Sequence, residues 1–221
     1  MPIVFKMKLD GSEGIRYFHV SLSVFHLKQA LHHAQAAIDA ANPEGETKFK
    51  ESLLAIVFAS LCLETFANEM AEGKFSDKEL EDFSRLQGKF KIRGRATSVA
   101  SKLKLLFNLY WAMDLSIEQS PLKEVEELYR VRNDLVHYKF SKSAGKAYLP
   151  VGTCEVGNGQ FMTTLDFGRQ PTHVEPSLVE MINAHEAAKS YNAALRIIKL
   201  WNERAGAPPD SMPSFGEYLT A

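Results

Sequence analysis

The sequence has only two cysteines among its 221 residues. That is too few for a disulfide framework, and Cys62 sits inside an apolar helical run, which reads as a buried thiol in a reducing cytosol. Net charge is almost absent: 26 basic side chains oppose 27 acidic ones, leaving −1 overall and a pI near 6.7. This balance excludes a protein that coats nucleic acid through bulk charge, so any polyanion must meet a local patch. Long hydrophobic runs are missing as well. The longest uncharged stretch, Ser52 to Leu63, falls short of the roughly 18 apolar residues that span a bilayer. The opening residues, Met1 to Phe5 followed by Lys6 and Lys8, lack the basic start and long apolar stretch of a secretory signal. A cytoplasmic protein with no membrane partner is therefore expected. There is no phosphate-loop pattern around Gly152, Gly157 and Gly159 and no G-x-S-x-G elbow, which sets aside P-loop and serine-hydrolase chemistry.

What remains is a chain that is 45% hydrophobic and 24% charged, enough to bury the core of a single domain over residues 1–221. The Gly-containing turn from Asp10 to Gly14 predicts an N-terminal β-hairpin within residues 1–20. Helices are expected over Ser21 to Ala41, Glu46 to Glu72, Ser76 to Leu86 with Ser76 as N-cap, and from Thr97 or Ser98 to Trp111. Ser120 as N-cap with Pro121 in the first helical position predicts a fifth helix running to Tyr138. Alternation punctuated by glycines predicts a second hairpin at about 146–168, inserted into the bundle that spans 21–204. A last helix is expected from Pro176 to Glu203, ended by Gly206, Pro208 and Pro209, with a loosely packed tail over 205–221. The fold class is thus mainly α, a bundle of five to six helices with one or two small hairpin additions.

The fifth helix carries the most informative residues. At about 100° per residue, Leu122, Val125, Leu128, Tyr129, Leu135 and Val136 share one apolar face, and Arg132 falls in its middle. A guanidinium there must reach water, pair with a carboxylate or face a pocket. Asn133 and His137 are four residues apart and share a strip at the edge of that face, with Arg130 beside them. On the second helix Glu64 lies on a strip with Val57, Leu61 and Asn68, an acid in apolar company. A Glu64–Arg132 ion pair would account for both; otherwise each is a partly exposed helix-edge residue.

The run Arg132-Asn133-Asp134-Leu135-Val136-His137 resembles the R-x4-6-H motif of the HEPN superfamily, in the form where asparagine follows arginine. The stretch Leu61 to Glu69 is similar to the glutamate-bearing helix of several HEPN groups, and the likeness covers roughly Ser21 to Trp201. It implies an up-and-down helical bundle that commonly dimerises, bringing two motifs together across a cleft. Many members are metal-independent endoribonucleases of toxin–antitoxin, RNA-processing or defence systems; others are inactive or bind nucleotides or RNA. Carried over, Arg132, His137 and Asn133 are the catalytic positions and Glu64 a supporting one, with Arg130 added from its neighbouring strip. The implied partners are RNA or a nucleotide, a second copy, and a protein such as an antitoxin; no metal or cofactor is implied. The alternative is a non-catalytic interaction or nucleotide-binding module in which Arg132 serves a structural ion pair.

Charge placement adds a second line. No acidic residue occurs from Phe83 to Met113, while Arg85, Lys89, Lys91, Arg93, Arg95, Lys102 and Lys104 are basic, and Lys139, Lys142 and Lys146 follow the motif. Lys89, Lys91, Arg93, Arg95 and Lys139 are the candidate RNA contacts. Phe90, between two lysines, either stacks on a base or anchors the loop, and anchoring is the plainer reading. His26, His32 and His33 lack the i,i+4 spacing of a helical zinc site, so no metal is expected on the first helix.

Overall fold

A computed structural model describes residues 4–10, 13–19, 21–40, 46–91, 97–136, 146–147, 151–165, 174–175, 182–206 and 216–220. The chain forms two compact units, Met1–Asn133 with Asn183–Ala221, and Asp134–Ile182. In the first unit β1 (Val4–Asp10) and β2 (Glu13–His19) form an antiparallel hairpin with Asp10 opposite Glu13 and Val4 opposite His19. Six α-helices then account for most of the described residues.

Helix α1 (Leu22–Asp39) begins where Ser21 accepts the N–H of Val24. Its N-terminus is completed from α2 (Glu46–Glu72): the Glu69 carboxylate accepts from the hydroxyls of Ser21 and Ser23 and from the Ser23 N–H. A carboxylate at the positive end of a helix satisfies donors that have no partner inside the helix. The same device recurs on α4 (Ser98–Trp111). There Glu126 of α5 (Leu122–Val136) accepts the Thr97 N–H at 2.7 Å and its hydroxyl at 2.9 Å. Helix α3 (Asp77–Ser84) opens with Ser76 donating its N–H and hydroxyl to Glu79.

The expected helix ends need three corrections. Helix α3 stops at Ser84, not Leu86, because Leu86 and Gly88 turn to φ of 50° and 56° and lead into a 3-10 turn over Gly88–Phe90. Pro121 is not inside α5: the helix starts at Leu122, and the Ser120 hydroxyl donates to the Glu124 carboxylate instead of capping a backbone N–H. Helix α6 spans Ala184–Ala205 and begins eight residues after Pro176; Asn183, in an extended conformation, accepts the Glu186 N–H and fixes that start. Its end does follow the expectation, with Gly206 left-handed at φ 63°.

The core centres on α2. Its fully buried positions include Ala55, Ile56, Ala59, Cys62, Leu63, Ala67 and Ala71, and it packs on α1, α3, α4 and α6. Segment Phe49–Glu72 is long and apolar enough to cross a membrane by composition, and these neighbours give it the setting of a bundle's central helix. Buried alanines recur on the helices that pack on one another: Ala30, Ala34 and Ala37 on α1, Ala55, Ala59, Ala67 and Ala71 on α2, and Ala187, Ala188, Ala193 and Ala194 on α6. Small side chains let helix axes approach closely. Elsewhere Phe66, Phe107, Tyr110 and Trp111 gather around Trp201, whose ring lies 4.2 Å from that of Trp111.

The segment expected to be a loose tail is fastened at Gly216–Thr220. Asn192 on α6 donates to the Leu219 carbonyl at 2.8 Å and accepts the Leu219 N–H at 2.9 Å.

Among its described residues the second unit carries the end of α5 and four strands. β3 (Lys146–Ala147) pairs antiparallel with β6 (Val174–Glu175), and β4 (Val151–Gly157) with β5 (Gln160–Leu165). The hairpin tip is Asn158-Gly159, both left-handed at φ 53° and 72°, the geometry that matches the twist of paired strands. Residues 152–163 are all exposed, on both faces of the ribbon.

Candidate nucleic-acid interface

Three helices of the first unit supply the candidate groups. Helix α5 buries Leu122, Val125, Leu128, Tyr129 and Val131, and its Tyr129 phenol donates to the Ser60 carbonyl of α2 at 2.7 Å. That bond fixes α5 on α2 one turn before the motif. Arg132 is half-buried, and its Nη1 donates to the Asn133 side-chain oxygen at 3.1 Å. The first two residues of the motif thus act on each other, the amide orienting the fork of the guanidinium. Arg130 is exposed.

The expected Glu64–Arg132 ion pair does not form. Glu64 is exposed, and among the described residues no carboxylate lies within ion-pair distance of Arg132. A solvated carboxylate gains little from such a pair. Glu64 still belongs to the neighbourhood: its charge acts on Tyr129 and on Lys102 of α4. Burial is the main cause that pushes the Tyr129 phenol up; Glu64 adds to the rise and Arg132 opposes it. Burial also pulls the Lys102 ammonium down, against the opposing pull of Glu64.

Lys102 is the residue that motif reasoning passed over. It is buried in the stripe of Val99, Leu103 and Leu106, with its Nζ 5.7 Å from the Phe83 ring, and it makes no ion pair among the described residues. The signal was available in principle, since Lys102 sits three residues after Val99 and four before Leu106, inside the apolar stripe.

No family model, no curated protein and no solved structure matches this chain at a significant level. The geometry of its own residues therefore carries the functional reading.

The basic run is less free than its spacing suggests. Arg85 pairs with Glu81, Lys89 with Glu79, and Lys104 with Asp114. All three acids come from just outside the acid-free stretch, on α3 or after α4. Lys89, a candidate RNA contact, thus gives its ammonium to Glu79 and holds that carboxyl down at about 2, with Ser76 helping. Lys91 is exposed. Phe90 is buried against Phe75 and Phe83, with ring centroids 4.8 and 5.5 Å away, so it anchors the turn. His137, Arg93, Arg95 and Lys139 lie outside the described residues.

On α1, His33 meets Glu51 at 2.6 Å and stacks on Phe58. Among the described residues no cluster of three or more histidine, cysteine, aspartate or glutamate side chains is arranged to hold a metal.

Proposed function

We propose that this helical domain binds RNA and cleaves it without a metal, through Arg132, Asn133 and His137, in a dimer and in the cytosol. The observation that carries the reading is the state of Arg132: a half-buried guanidinium on an apolar face, oriented by a neighbouring amide, with no carboxylate among the described residues neutralising it. A permanent cation held in this way suits a phosphate better than it suits a structural tie. The resemblance of the segment to the R-x4-6-H motif supports the same assignment.

The chemistry follows from the residue types. The ribose 2′-oxygen forms a bond to phosphorus while the bond from phosphorus to the 5′-oxygen breaks, leaving a 2′,3′-cyclic phosphate. The 2′-hydroxyl proton goes to a base, and the departing 5′-oxygen takes a proton from an acid. Histidine titrates near neutrality and serves either step. Arg132 stabilises the charge that builds on the phosphorane. Two copies of His137 across a dimer would divide the acid and base roles. Glu64 and Arg130 set the local field, and Lys91 extends the cationic surface.

The second reading, a non-catalytic interaction or nucleotide-binding module, is favoured by one observation: Lys89 and Lys104 already hold acids, which weakens the basic patch. Incubating a mixed RNA substrate in EDTA separates the two. Cleavage by the wild type, lost in folded His137→Ala and Arg132→Ala variants, supports the ribonuclease. Intact RNA with a clean wild-type protein overturns it and leaves the module.

A further inference from the structure

Among the described residues Lys102 is the one charged side chain that is buried, with 7% of its surface exposed. The stem of a lysine packs well in an apolar stripe, but its ammonium loses water there and needs a partner in exchange. Lys102 has no such partner: its Nζ makes no hydrogen bond or ion pair among the described residues. Its nearest ring, Phe83, is itself buried and offers a π face at 5.7 Å but no acceptor oxygen. Other cations of the same acid-free run are matched, Arg85 by Glu81, Lys89 by Glu79 and Lys104 by Asp114. Packing alone does not account for Lys102, since a methionine would fill the same space without the cost of a charge.

The head of this side chain is not sealed in. The enclosed polar atoms without a partner among the described residues are His26 Nδ1, Ser52 Oγ, Ser190 Oγ and the Tyr191 hydroxyl. Lys102 Nζ is not one of them, so the stem is covered while the ammonium keeps an opening to the outside. The place of Lys102 relative to the motif follows from the helices that hold it. Glu126 of α5 takes the Thr97 N–H and hydroxyl at the start of α4, five residues before Lys102 on one helix and six before Arg132 on the other. The charge of Glu64 on α2 acts on Lys102 and also on Tyr129, which feels Arg132 in turn. Lys102 and Arg132 therefore share one electrostatic neighbourhood, and Glu64, turned to solvent, pairs with neither.

We propose that the Lys102 ammonium is a second phosphate-binding group of the site, taking a phosphodiester of the same RNA strand whose scissile phosphate is held by Arg132. The inference rests on the reading of α5 as the RNA-binding helix and adds to it a group from α4. A phosphate oxygen supplies the acceptor that the fold withholds: it takes a proton donor of the ammonium and offsets the cost of burial, and it does so only when the strand is bound. Two cations of different kinds then divide the work. The planar fork of Arg132 faces the phosphate that reacts, and the point charge of Lys102 fixes the register of the strand.

The test reads binding apart from cleavage, with the full chain and a fluorescent 2′-O-methyl oligoribonucleotide, which lacks the nucleophilic hydroxyl. The wild type is expected to bind it in anisotropy titrations with an affinity that falls as salt rises. Folded Lys102→Met should bind about tenfold more weakly, and the slope of log affinity against log salt should shrink by about 0.7, the share of one phosphate contact on a single strand. Lys102→Arg, which keeps the charge, should recover part of the loss. NMR of the wild type labelled at lysine gives a readout that a packing role would not move. Burial holds the Lys102 ammonium below its ordinary 10.5 in the free protein, and the bound oligonucleotide should bring its midpoint back toward that value. Wild-type binding that Lys102→Met leaves unchanged in strength and slope overturns the proposal and leaves the RNA reading standing. A wild type that binds no oligonucleotide overturns both. If Lys102→Met unfolds, the NMR titration decides, and a Lys102 midpoint that bound oligonucleotide does not move overturns the proposal.

Discussion

The Tyr129 phenol on α5 and the Ser60 carbonyl on α2 share a buried hydrogen bond of 2.7 Å. Removing the hydroxyl leaves the ring in place and takes away one polar tie. Tyr129→Phe should therefore lower stability by about 1 kcal/mol in urea unfolding, the usual net worth of such a bond, while Tyr129→Ala should cost about 3 kcal/mol or more through the cavity it opens. If α5 carries the active helix, Tyr129→Phe should also loosen the motif and raise KM for RNA.

Two acids cap helices other than their own. Glu69→Ala strips three donors at the start of α1, and Glu126→Ala strips two at the start of α4. Each is expected to cost about 1–2 kcal/mol. The two caps serve different helices, so the double variant should lose close to the sum, measurable as a shift in the urea midpoint at constant slope.

The pair of Glu127 on α5 and Lys189 on α6, 2.7 Å apart, gives a pH signature. The hydrogen bond from Lys189 holds the Glu127 carboxyl below its ordinary 4.5 and raises the lysine above 10.5. The stability from Glu127 is thus complete above its ordinary value and lost as pH falls through the lowered one. The lysine's share is complete below 10.5 and lost as pH rises past its raised value. Both groups are partly solvated, so a double-mutant cycle near neutrality should return only about 0.2–1 kcal/mol. For Glu79, an NMR titration of the side-chain carboxyl should give a midpoint of about 2, returning toward 4.5 in Lys89→Ala.

The two thiols should report on different events. Cys154 is exposed and Cys62 is fully buried, where burial and the charge of Glu69 push its thiol up. A thiol reagent should label Cys154 at once and Cys62 only at the rate at which the bundle opens.

Lys102 offers a separation of stability from function. Its ammonium is penalised by burial, so Lys102→Met should leave stability unchanged or raise it, with the gain complete below the lysine's lowered value and gone above its ordinary 10.5. A fall in RNA affinity in the same variant would place Lys102 at the interface.

Helix existence and most helix starts were legible because they rest on local chemistry. Ser21, Ser76 and Thr97 stand next to the first helical residue in each case, and Asn158-Gly159 is a turn signal in its own right. The start of α6 was not legible: Pro176 is a common first residue of a helix, yet the extended Asn183 sets the start, and Val174–Glu175 had already been taken by a long-range pairing with Lys146–Ala147. The candidate site was half legible. Spacing put Arg132 and Asn133 on adjoining strips, but no spacing rule says that Glu64 turns to solvent, or that Glu79 and Asp114 reach across to quench lysines of an acid-free run.

The buried alanines of α1 and α2 have a genetic consequence. An alanine codon changes by one base only to valine, aspartate, glutamate, glycine, threonine, serine or proline. At Ala30, Ala34, Ala55 and Ala59, all fully buried, each of these brings in bulk, charge, a hydroxyl, a flexible backbone or a helix break. A saturation library scored for folded protein should therefore show these positions as a cold stripe at helical spacing, as intolerant as any active site while doing no chemistry.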